Sequence, residues 1–171
     1  LIVDAAERLL SEHDPLLVTF EQVAEEAGVS RPLVHAYLGD RRGLIDAVQV
    51  RIVERLDTWV GHGLGRANTT DEGLRALVHA AFAFVTEERN AWRILGATGG
   101  FDHPALHALR TRWVTALTIS DDPAGVGAQA VVAAVLAGVG TWVRQGIEPA
   151  AVIDRLRPLL MPLPQSVSTT G

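Results

Sequence analysis

Thr19-Phe20-Glu21-Gln22-Val23-Ala24-Glu25-Glu26-Ala27-Gly28-Val29-Ser30-Arg31-Pro32-Leu33-Val34-His35-Ala36-Tyr37-Leu38 is the stretch that decides the fold. Phe20, Val23, Ala24 and Ala27 recur at three- and four-residue steps, which predicts an amphipathic helix over 20–27. Thr19 stands at its N-cap, with Gln22 close enough to answer it. The small Ala24 leaves room for a neighbouring helix. Gly28 follows the helix end, where a left-handed backbone is needed. Val29 plugs the turn into the core. Ser30 is expected to cap a second helix over 31–38, with Pro32 in the first turn, where a missing N–H is tolerated. Val34 and Leu38 then face inward, and Arg31, Leu33, His35 and Tyr37 face outward.

Two short helices joined by Gly-Val-Ser have the construction of a helix-turn-helix, whose second helix enters the major groove of DNA. Ser30 and the helix N-terminus are placed to hydrogen-bond a phosphate. Arg31 reaches a guanine edge or a phosphate, and Leu33 and Ala36 suit apolar contact to thymine methyls. Arg41, opening the next helix, is placed to clamp the DNA backbone. The candidate DNA contacts are therefore Thr19, Ser30, Arg31, Pro32, Leu33, His35, Ala36, Tyr37 and Arg41. The competing reading is a packing unit of the same shape with no nucleic-acid role.

Composition sets limits on this. The chain has 171 residues, a net charge of −5, no cysteine, and arginine as its only basic residue apart from histidine. Absence of cysteine rules out disulfides, thiolate nucleophiles and cysteine-ligated zinc, and fits a cytoplasmic location. The acidic balance argues against a broad electrostatic grip on nucleic acid, so any DNA contact must be local. No secretory signal is legible at Leu1-Ile2-Val3. The sequence opens on leucine, and an N-terminal arm is an open question.

Outward from the motif, helical periodicity dominates and strand signals are scarce. Leu1, Ala5 and Leu9 share a face, and Asp14-Pro15 ends that helix. A fourth helix begins near Arg41, carries Leu44, Val48, Ile52, Leu56 and Val60, and fades at Gly61-His62-Gly63-Leu64-Gly65. Further helices are expected at about 72–88, 92–95 and 103–118. Ser120-Asp121-Asp122-Pro123 reads as the start of an Ala/Val-rich helix to Gly146, and Pro149 opens a last one to Leu160. The stretch Val126–Val143 lacks charge but is only mildly apolar and has no companion, so it reads as a core helix rather than a membrane span. The expected fold class is all-α, about nine helices: a three-helix region over 1–48, a larger bundle over 49–163, and a disordered tail over 164–171.

The run Val23-Ala24-x-x-Ala27-Gly28-Val29-Ser30, followed by an aromatic late in the next helix and by Leu44-x-x-Ala47, resembles the tetracycline-repressor (TetR) family. The resemblance is specific over residues 2–50 and rests on helix count and order beyond them. Leu33-Val34-His35 stands where the family has a Thr-Leu-Tyr-like run, Leu38 where it has an aromatic, Arg41 where lysine is common, and Pro32 where glycine is frequent. The resemblance implies a homodimer whose last two helices form a four-helix bundle with a second subunit. Val132, Ala133, Ala137, Gly140, Val152, Leu156 and Leu160 are its candidate interface, small residues allowing close helix approach. It also implies a pocket for an unidentified small-molecule effector. Phe82, Trp92, Phe101, Trp113 and Trp142 are its candidate walls, and His79, His103, His107 and Thr141 its polar contacts. The effector would change the spacing of two DNA-reading heads. That reading is a repressor on a palindromic operator, with double-stranded DNA as partner, no cofactor and no membrane.

Other chemistry is weaker. His103 and His107 lie four apart beside Asp102, but no third metal ligand has fitting spacing. Gly61-x-Gly63-x-Gly65 lacks the strand that precedes a nucleotide-binding turn. No Ser-His-Asp grouping stands out, so an enzyme is the least favoured class. A ligand-binding helical protein without DNA recognition is the runner-up.

Overall fold

A computed structural model describes residues 1–117 and 125–161. Its elements are α1 (Ile2–Glu12), α2 (Phe20–Ala27), α3 (Arg31–Leu38), α4 (Arg41–Leu64), α5 (Thr70–Glu87), α6 (Arg89–Ala97), a 3-10 turn (Gly100–Asp102), α7 (Pro104–Leu117), α8 (Val126–Arg144), α9 (Pro149–Leu156) and a closing 3-10 turn (Arg157–Leu160). Among the described residues there is no strand, so the all-α expectation holds. The helix start read at Ser120–Pro123 and the tail over 164–171 lie outside the described residues.

The long α4 organises the molecule. Its N-terminal part packs on α1 and α3, and it also meets α5, α6 and α7. Leu44, Val48, Ile52, Val53, Leu56 and Val60 are its buried stripe, each worth roughly 1.5–3 kcal/mol in surface removed from water. The helix runs through Gly61 and Gly63 instead of stopping there. A Cβ on Gly63 would lie 2.8 Å from the Ala76 Cβ, so α4 and α5 approach more closely than a side chain would permit.

Polar ties join α4 to its neighbours. The Arg55 guanidinium donates to both Glu7 carboxylate oxygens, at 3.0 and 2.5 Å, and lies 3.4 Å from Glu88. Gln49, the only buried polar side chain among the described residues, donates from Nε2 to the Thr98 carbonyl and hydroxyl at 2.9 and 2.8 Å. These bonds link α1, α4 and both ends of α6.

Several expected helix limits change: the last helix, expected to Leu160, is α-helical only to Leu156 and ends in a 3-10 turn, and the Ala/Val-rich helix ends at Arg144 rather than Gly146. The helix expected over 92–95 spans Arg89–Ala97, because Ala91, Ile94 and Leu95 are buried at helical spacing. The helix expected from 72 starts at Thr70, where the Thr69 hydroxyl accepts from the Glu72 backbone N–H at 3.2 Å. Helix α8 is long and apolar enough to cross a membrane by length and composition, with mean hydropathy 1.8. It buries Ala128, Val131, Val132, Val135, Leu136, Val139 and Gly140 and packs on α5 and α7.

Candidate nucleic-acid interface and internal cavity

The motif folds as its residue types require. Thr19 Oγ1 accepts from the Gln22 backbone N–H at 3.3 Å, and Gln22 Oε1 accepts from the Thr19 N–H at 2.8 Å, closing a capping box. Gly28 takes the left-handed conformation, φ 64°, that ends α2. The Val29 N–H then bonds the Ala24 carbonyl at 2.9 Å, and Val29 packs partly buried against the core. Ser30 corrects one expectation: it occupies the N-cap of α3, but its hydroxyl makes no capping bond. The side chain that caps the following helix is Asp40, accepting from the Gly43 N–H at 2.9 Å.

Helix α3 buries Val34 and Leu38 and leaves Arg31, Pro32, Leu33, His35, Ala36 and Tyr37 exposed. Leu33 is 49% and Tyr37 66% exposed, a large apolar display for one short helix. His35 is turned toward α2: its ring meets Phe20 edge-on at 4.4 Å, and Nδ1 donates to the Gly39 carbonyl at 3.3 Å.

The arginines are less free than their positions in the sequence suggest. Arg31 is paired with Glu21 at 2.9 Å across α2 and α3. Arg41 donates to the carbonyls of Val18, at 3.1 Å, and Pro15. It therefore braces the connection that carries α2, and in this state it is not a free clamp. Arg42 beside it is exposed and pairs with no acid among the described residues. The connection also exposes Leu16 and Leu17; nothing in their local pattern marked them, since apolar residues in a loop read as core.

The expected pocket residues do not share one site. Trp92, Phe101 and Thr141 line a cavity of about 510 Å³ between α6, α7 and α8. His103 is turned to α4: Nδ1 accepts from the Ala105 N–H at 3.1 Å and Nε2 donates to Asp46 at 2.9 Å. His107 lies in a separate groove with Gln129 and Val132. Phe82 and Trp142 stack on each other at 6.2 Å, Trp113 is 2% exposed with an unpartnered indole N–H, and His79 is exposed on α5. What sequence reading missed is that Arg93, Arg110 and Arg144 also line the cavity. Distant in sequence, they carried no shared spacing.

The small residues of α8 have an intrachain role. A Cβ on Gly140 would lie 2.6 Å from Trp92 Nε1, and one on Gly138 would strike the Trp142 ring. Val132, Gly140, Val152, Leu156 and Leu160, expected at a dimer interface, are all buried within the single chain. Ala137 is exposed and Ala133 half-buried, and both line the cavity. Among the described residues no group of three or more His, Asp or Glu is placed to hold a metal.

Capped α2, a left-handed glycine, and α3 with an uncovered outer face define an all-helical helix-turn-helix protein. Residues 2–48 match the family model of bacterial regulatory proteins of the tetR family. The chain is 34% identical over 94 residues to an HTH-type transcriptional regulator BetI from Brucella anthropi, an alignment covering 53% of this chain and 48% of that protein. The chain thus matches about half the length of its curated relatives. Its fold matches the fatty acid degradation regulator FadR from Bacillus halodurans, with TM-score 0.68, 15% identity, and coverage of 93% of this chain and 92% of that one. A TetR-like transcriptional regulator from Rhodococcus sp. RHA1 gives TM-score 0.64 at 21% identity, covering 93% and 91%.

Proposed function

We propose that this protein is a cytoplasmic, homodimeric transcriptional repressor that binds a palindromic operator and is released by a small molecule. Residues 1–48 are its DNA-reading head, and residues 49–163 carry the effector cavity and the dimer contact. The observation that carries the reading is the uncovered face of α3: Val34 and Leu38 anchor it while Arg31, Leu33, Ala36 and Tyr37 stand exposed. An exposed apolar and basic face on a rigid short helix fits major-groove docking. Dimerisation sets two such helices about 34 Å apart, one turn of the duplex. The dimer contact we favour lies on exposed parts of α8 and α9 outside that cavity, because Val132, Gly140, Val152, Leu156 and Leu160 are already buried in their own chain.

The second reading, a ligand-binding protein without DNA recognition, draws on the engaged state of Arg31 and Arg41. An exposed pair such as Arg31–Glu21 is weak, however, and a phosphate competes with it readily. Selection of bound sequences from a random duplex pool at moderate salt separates the two. A palindrome with half-sites one helical turn apart supports the repressor; weak, sequence-independent retention supports the other reading.

A further inference from the structure

We infer that the cavity between α6, α7 and α8 takes a small organic anion with a flat apolar body, its charge held by Arg110 and Arg144. This deepens the effector reading and rests on it. The volume of about 510 Å³ falls within the roughly 300–1,000 Å³ of ligand pockets. Trp92 and Phe101 form one wall, their rings edge-to-face at 4.9 Å, with Gly140 and Gly96 packed close behind them. An aromatic wall of this kind suits a ring or another flat apolar body.

The charges decide which body. The lining holds three guanidinium groups and one carboxylate, Asp102, in a chain whose net charge is −5. Elsewhere many of the arginines are paired with acids, among them Arg8 with Glu26, Arg51 with Asp4, Arg55 with Glu7, Arg112 with Asp57 and Arg157 with Asp71. None of the three in the cavity is. Arg93 donates to the Ser11 carbonyl, and Arg144 donates only to the Thr141 hydroxyl at 2.9 Å. Arg110, half-buried, has neither an ion-pair nor a hydrogen-bond partner among the described residues. The guanidinium groups are paired with no acid that would compete with a ligand, and a carboxylate supplies two parallel bonds to one of them. A cation would meet repulsion here, and a neutral ligand would gain no such charge-assisted bonds.

The test titrates 1-naphthoate into the full chain without DNA, following tryptophan fluorescence and heat, with neutral 1-naphthamide as the comparison. Saturable binding of the naphthoate is expected, with the amide at least about tenfold weaker. Arg110→Gln should weaken the naphthoate by a similar factor without affecting the amide, and Arg110→Lys should recover part of the loss. Circular dichroism checks folding; should Arg110→Gln not fold, Arg144→Gln carries the same expectation. Equal binding of the two probes, an undiminished variant, or no saturable binding overturns the inference. A cavity filled by a second subunit belongs to the last of these outcomes. Because no DNA enters the assay, its failure is separate from failure of the repressor reading, which the duplex selection reports.

Discussion

Val34 and Tyr37 sit three apart on α3 and should separate folding from recognition. Val34 is fully buried. Val34→Ala removes two methyl groups, about 0.8 kcal/mol each in transfer free energy, and leaves a cavity, for a total of roughly 2–3 kcal/mol. In a chain of this size each kcal/mol lowers the melting temperature by about 2–4 °C, so the variant should melt roughly 5–10 °C below the parent. Tyr37 is 66% exposed and has little packing to lose. Tyr37→Ala should stay within about 0.5 kcal/mol of the parent, since alanine is also the better helix former. On DNA the order reverses. Loss of the Tyr37 ring from the groove face should cost about 1–3 kcal/mol, roughly five- to 150-fold in operator affinity. Folded Val34→Ala should bind nearly as the parent below its transition. Thermal melts by circular dichroism and fluorescence anisotropy with the selected operator measure both quantities. The reasoning fails if Tyr37→Ala melts with Val34→Ala, or binds operator within twofold of the parent.

Arg41→Ala should weaken binding to all duplexes alike and lower stability by about 1 kcal/mol, because the lost bonds to Pro15 and Val18 position α2 and specify no base; a change in sequence preference among selected duplexes would contradict this. Gly63→Ala gains up to about 1 kcal/mol of helix propensity but drives a methyl to 2.8 Å from Ala76, so it should destabilise by about 1–2 kcal/mol net, and a raised melting temperature would refute the close α4–α5 contact. Asp71 accepts from Arg75 and Arg157, and these bonds hold its carboxyl below the ordinary value. Its contribution is thus complete above the ordinary aspartate value and is lost as pH falls through the lowered one. Asp71→Asn should flatten the acid side of the melting-temperature profile below about pH 4 and leave its neutral slope unchanged, and an unaltered acid limb would count against the pair.

The helix-turn-helix was legible because its determinants are local. The Thr19–Gln22 capping box, the left-handed Gly28 and the four-residue step from Val34 to Leu38 each act within one or two turns, so the residue types alone imply the geometry. The helices of the larger region were legible for the same reason, with limits shifted by a few residues where buried contacts extend or caps relocate them. Even so, the engagement of Arg41 could not be read locally, since its acceptors lie 23 and 26 residues earlier.

Periodicity tells which face of a helix is apolar, but not what that face meets. The glycines of α8 looked suited to another helix and instead make room for the indoles of Trp92 and Trp142. Of the aromatics expected around a pocket, Trp113 went to the core, Phe82 and Trp142 to each other, and only Trp92 and Phe101 to the cavity. The sequence by itself determined the helical class, the turn that sets α2 against α3, and the outward residues of α3, because hydrogen bonds and steps of three or four residues suffice for them. Only the tertiary structure decided that Arg93, Arg110 and Arg144 would share one cavity and that α8 would bury Val132 and Gly140 in its own chain. Those arrangements depend on how three helices pack, and close packing is a property of shapes meeting across the chain rather than of any one segment.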